Sequence, residues 1–103
     1  MSTIHARSRT EEVLGEMGRR LRRVRLSLNM PVSTLAERSG VSTRTIMRIE
    51  KGEGATLENM VRVLRGLGRL PALDAFLPEP PPSPIEIERL GGSPRQRASK
   101  RDG

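Results

Sequence analysis

Apolar residues recur at steps of three and four along the first third of the chain, at Leu14, Met17, Leu21, Val24 and Leu28. Such spacing winds onto one face of an α-helix and predicts an amphipathic one. Thr10 is placed to cap its start, and Glu11 and Glu12 suit the positive end of its dipole. Asn29, tolerant of the left-handed conformation, and Pro31 close it. A short second helix over 32–39 carries Leu35 and Ala36 and breaks at Gly40. Ser42 caps a third over 43–51, with Ile46 and Ile49 facing inward and Gly52 as its stop. Beyond the loop Gly52-Glu53-Gly54-Ala55, Thr56 caps a fourth helix, with Glu58 in its first turn. Leu57, Met60, Val61, Leu64 and Leu67 form its apolar face, and Gly68 ends it. Leu73, Phe76 and Leu77 mark a fifth, from Pro71 to Leu77. The pattern predicts an all-α, five-helix domain over residues 10–77, after a small, polar, disordered stretch at 1–9.

Composition changes at Pro78. The run Pro78-Glu79-Pro80-Pro81-Pro82-Ser83-Pro84 cannot continue a helix and reads as a polyproline II spacer. Ser83-Pro84-Ile85-Glu86 then has the form of a capping box, which predicts a helical turn or two as far as Leu90. The alternation Ile85-Glu86-Ile87-Glu88 also permits a short strand. Residues 78–103 thus predict a proline-rich, largely extended spacer with a basic tail.

With 34% apolar residues and Phe76 as the single aromatic, a core must come from Leu, Ile, Val and Met, which favours a helical bundle. The absence of an 18-residue apolar run and of an apolar N-terminal segment argues against a membrane span or secretion, so a cytoplasmic protein is expected. There is no cysteine, hence no disulfide, thiolate chemistry or cysteine zinc site. His5, in a polar segment, reads as solvated and not as a metal ligand. Net charge is +7, and all but two of the 19 basic residues are arginine. An excess of this kind favours a polyanionic partner, because neutralised phosphates release counterions.

The stretch that carries chemistry is residues 32–51, VSTLAERSGVSTRTIMRIEK. Two short helices meet across a turn that needs a positive φ, supplied by Gly40, and cross closely where Ala36 is small against Ile46. Leu35, Val41 and Ile49 complete the wedge. Capping at Ser42 turns the third helix outward and leaves Thr43, Arg44, Met47 and Arg48 on one face. That face fits a DNA major groove, where arginine pairs bidentately with guanine O6 and N7. Met47 at helical spacing also reads as core, but Ile46 and Ile49 already occupy the inward positions. Arg19, Arg20, Arg22 and Arg23 read equally as a solvated face or as a phosphate track.

With these pieces in place, residues 14–77 resemble the Xre/Cro/cI helix-turn-helix regulators, whose fold is the lambda-repressor-like bundle. Leu35-Ala36-Glu37, Gly40-Val41-Ser42, Ile46-Met47-Arg48-Ile49-Glu50 with Gly52, and Leu57 through Leu67 carry the likeness. The resemblance implies base contacts from Thr43, Arg44, Met47 and Arg48 and phosphate contacts from Ser42 and Thr45, to which the track of Arg19, Arg22 and Arg23 adds. It also implies an ion pair between Arg25 and Glu50. Two departures stand out. Pro31 and Val32 replace the usual hydroxyl cap and glutamine of the second helix, and Ser39 stands where an aliphatic residue is usual, which should loosen the packing.

The loop and fourth helix, the short fifth helix and the Pro82-Ser83-Pro84 tail are similar to HipB-like antitoxins. That implies a homodimer on palindromic double-stranded operator DNA, repressing its own operon and docking a HipA-like kinase toxin. Leu70, Leu73, Phe76 and Leu77 are the expected dimer interface, since so small a domain has little core left to bury them. Ile85, Ile87 and Leu90 are the expected partner anchors. A stand-alone or phage-type repressor, and an interaction module that uses this fold without DNA, stay open. An enzyme is not indicated: no acid/base set, activated nucleophile or metal cluster appears, and no cofactor is implied. Gly52-Glu53-Gly54 has no preceding strand and no Gly-Lys-Ser/Thr, so it is no nucleotide loop. Arg95, Arg97, Lys100 and Arg101 read as a solubilising tail or as a DNA or partner contact.

Overall fold

The computed structural model describes residues 4–89, without the side chains of Glu86 and Ile87, so the Ile87 side chain, Leu90 and the basic tail lie outside what is described. Among the described residues six helices run in order: α1 Thr10–Ser27, α2 Val32–Ser39, α3 Thr43–Glu50, α4 Leu57–Gly66, α5 Ala72–Phe76 and α6 Pro84–Arg89. The described residues contain no strand, and residues 85–88 lie within α6, the helical alternative. Contacts divide the chain into one compact unit that ends at Ala72 and a second that begins at Leu73.

Helix ends follow local chemistry, with one shift. Arg9, not Thr10, is the N-cap of α1: its backbone N–H donates to Glu12 Oε1 at 2.9 Å, and the helix begins one residue earlier than the hydroxyl suggested. At the other end Asn29 takes φ +54°, and the N–H of Met30 reaches back to the Arg25 carbonyl at 3.1 Å. Such a closure satisfies carbonyls that a helix end leaves unpaired. Pro31 leaves α2 without a side-chain cap, whereas Ser42 Oγ accepts from Thr45 N–H at 3.1 Å and Thr56 Oγ1 from Asn59 N–H at 3.0 Å. Gly40, at φ +73°, makes the tight turn between α2 and α3.

The core of the first unit consists of Leu21, Met30, Leu35, Val41, Ile46, Ile49, Val63 and Leu67, and Leu35, Ile46 and Val63 are fully enclosed. Val24, Val32, Ala36, Met60 and Leu64 pack partly buried against it. Helix α2 lies against α3 and α4, and α1 lies against α3.

Two predicted faces are corrected. Of the α1 stripe, Leu14, Met17 and Leu28 stay exposed, and the buried positions are Gly18, Leu21 and Arg25. The cause is a close approach: a Cβ on Gly18 would stand 2.5 Å from the Ile49 carbonyl oxygen and 2.7 Å from that of Glu50. In α4, Leu57 is exposed and Val63 is enclosed in its place. Val63 is six positions beyond Leu57, which sets the two about 120° apart around the helix. Ser39 does not simply leave a loose spot. It is buried, its Oγ accepts from Val41 N–H at 3.1 Å, and it faces Gly66, where an added Cβ would come 3.2 Å from its own Cβ. Two small residues let α2 and α4 meet.

Candidate nucleic-acid interface

Helix α3 is only eight residues long, too short to hold itself together in water. Three devices fix it. Ser42 closes its first turn, accepting from Thr45 N–H and donating to Thr45 Oγ1 at 3.0 Å. Ile46 and Ile49 anchor one side in the core. At the far end Glu50 meets Arg25 of α1 in a two-pronged pair, with Arg25 Nε donating to Glu50 Oε2 at 2.7 Å and Nη2 to Oε1 at 3.0 Å.

That pair is buried, its side chains 8% and 7% exposed. The remaining prong of the fork, Nη1, donates to the Met30 carbonyl at 2.9 Å. Hydrogen bonding to Glu50 holds the Arg25 guanidinium above its usual range, against burial, which acts in the opposite direction. The planar fork suits arginine, which lysine could not replace with equal geometry.

On the solvent side of α3, Thr43, Arg44, Met47 and Arg48 are exposed within an arc of about 140°. Met47 is 48% exposed and lies outside the buried core. Ser42 is exposed and Thr45 half-buried beside them. Arg48 Nε lies 3.3 Å from Glu53 Oε1. Glu53 lies beyond the helix stop at Gly52 and outside the expected contact set, yet it reaches this surface through Arg48. The signal was its place one residue past a C-terminal glycine, where the chain folds back on the last turn.

Arg19, Arg22 and Arg23 are exposed on α1 within an arc of about 100°. Glu16 takes both Arg19, at 2.7 Å, and Arg20, at 2.9 Å. Leu70 and Leu73 are half-buried, while Phe76 and Leu77 are 68% and 78% exposed. Ile85 is exposed on α6. His5 is exposed, and its Nδ1 accepts from Arg7 N–H at 3.3 Å. Among the described residues no cluster of His, Cys, Asp and Glu could hold a metal ion, and no helix is long and apolar enough to cross a membrane.

Two short helices joined by a left-handed glycine turn, the second presenting a polar, arginine-bearing face, constitute a helix-turn-helix. The helix-turn-helix family model HTH_3 matches residues 21–73, about half of the chain, and the chain belongs to this Xre-type family of DNA-binding transcriptional regulators. No curated protein matches it.

Proposed function

We propose that the chain is a repressor that reads operator DNA through Thr43, Arg44, Met47 and Arg48 in the major groove. Ser42 and Thr45, with Arg19, Arg22 and Arg23 of α1, hold the phosphates. The supporting observation is the exposed polar face of α3, whose opposite side is locked by Ile46, Ile49 and the Arg25–Glu50 pair. A good bidentate arginine–guanine pair discriminates by about 1–3 kcal/mol. Arg44→Ala should flatten base preference at one or two operator positions, and Arg48→Ala at different ones, when the DNA fragments retained by each protein are sequenced. Equal weakening on retained and random DNA would make both arginines phosphate contacts.

The finer reading is an antitoxin that regulates its own operon together with a HipA-like kinase toxin. It acts as a two-fold homodimer through Leu70, Leu73, Phe76 and Leu77 on a palindromic operator. Half-sites then lie about one DNA turn, roughly 34–36 Å, apart. In support, the proline spacer leads into α6, where Ile85 is 66% exposed and accessible to a partner. Domain 10–77 would hold DNA, and 83–101, with Ile85, Ile87 and Leu90, the toxin. Truncation after Leu77 should keep operator preference and a dimer by sedimentation, and lose co-purification with the neighbouring gene's product. Loss of fold or dimer would make the tail structural, and retained DNA binding with no protein partner would favour the stand-alone repressor.

A further inference from the structure

We propose that Glu53 is a positioning residue that sets which edge of Arg48 is offered to DNA. The inference rests on the base-reading role of Arg48 proposed above and deepens it.

A solvent-exposed arginine on an eight-residue helix samples many rotamers, and each presents a different set of N–H donors. Here one donor is already engaged. Arg48 Nε faces Glu53 Oε1 at 3.3 Å, so the edge formed by the two terminal nitrogens is the one left to project. That edge carries two parallel N–H groups, the arrangement that guanine O6 and N7 accept.

Glu53 is itself held. Its backbone N–H donates to the Arg48 carbonyl at 3.0 Å, so the two residues are joined at main chain and side chain together. The fold-back depends on Gly52 at φ +88°, and a Cβ there would stand 2.8 Å from the Cα of Gly15. Helix α1 therefore fixes the turn, the turn fixes Glu53, and Glu53 orients Arg48. A carboxylate on this surface opposes phosphate binding by charge alone, whereas its contact with Arg48 Nε acts on orientation.

The test uses the full chain as wild type, Glu53→Ala, Glu53→Gln, Arg48→Ala and the Glu53→Ala/Arg48→Ala double variant. Each is run through selection from a randomised duplex pool, with melting curves as a folding control. Glu53 and Arg48 are 52% and 61% exposed at their side chains, so wild-type melting is expected throughout. Glu53→Ala should reduce discrimination at the positions that Arg48→Ala flattens by about two- to fivefold, the range of an exposed ion pair. It should leave the Arg44 positions unchanged. Glu53→Gln, which keeps a side-chain oxygen of equal reach but no charge, should recover part of the preference, and Glu53→Ala should add nothing to the loss of preference once Arg48 is gone. If Arg48→Ala flattens its positions and Glu53→Ala does not, or only tightens all duplexes alike, the positioning role is overturned while base reading stands. If Arg48→Ala changes no position, both fall.

Discussion

Glu50→Ala should lower the stability of the domain by about 3–5 kcal/mol, since it leaves a buried guanidinium without its counter-charge. For a domain of this size each kcal/mol shifts the melting midpoint by about 4–8 °C, so a large fraction of the variant should be unfolded at physiological temperature. Thermal unfolding followed by circular dichroism measures this directly, and operator affinity should fall with it. The loss belongs to breaking the pair, not to the absence of an ion pair as such. Replacing both partners together, Arg25→Met with Glu50→Met, should recover part of the stability, because two apolar side chains of similar volume carry no stranded charge. Recovery stays incomplete because the Met30 carbonyl loses its donor. An unchanged midpoint in Glu50→Ala would mean that the buried geometry contributes nothing.

Two glycines one turn apart on α1 should respond with opposite signs. Alanine in place of glycine normally stabilises a helix interior by about 0.8–1.0 kcal/mol. At Gly15 the added Cβ would meet nothing nearer than Arg19 Nη1 at 3.7 Å, the far end of a flexible side chain, so Gly15→Ala should gain that amount. At Gly18 it would press into the backbone of α3 at 2.5 Å from Ile49 O, and backbone cannot rotate aside. Gly18→Ala should therefore cost about 1–3 kcal/mol, the usual penalty of overfilling a packed contact. Denaturant midpoints of the two variants, measured side by side, check the sign; a gain at Gly18 would show that α1 and α3 stand further apart.

Much of the architecture is legible in the chain because it rests on local rules. Ser42, Thr56, Asn29 and Gly40 act at the positions their chemistry indicates, and the boundaries of α2 coincide with the 32–39 reading. What hydrophobic periodicity misses is contact between backbones. Gly18 and Arg25 line the buried face of α1 although neither is apolar, and so an apolar-stripe reading draws Leu14 and Met17 inward in their place. The pairing of Ser39 with Gly66 joins residues 27 positions apart, which no window on one helix contains. Val63 falls outside the α4 face that periodicity predicts because Leu57 fits an i, i+3, i+4 count equally well, and only the neighbour α2 decides which side turns inward. At the candidate interface, the outward set on α3 follows from capping and from Ile46 and Ile49, whereas Glu53 acts from across a helix end, where periodicity stops.

The guanidinium of Arg25 carries a consequence for how the domain opens. It joins the last turn of α1, the Met30 carbonyl before α2 and the end of α3 through one rigid group. Helix α3 cannot fray from its C-terminus while that group is seated, and its middle is pinned by Ile46 and Ile49. Amide deuterium uptake along α3 should therefore proceed in step with α1, as one cooperative unit, and not through separate local excursions. A surface of this kind meets its partner already in shape, so the entropy of ordering α3 is lost when the chain folds and not at the encounter with a ligand.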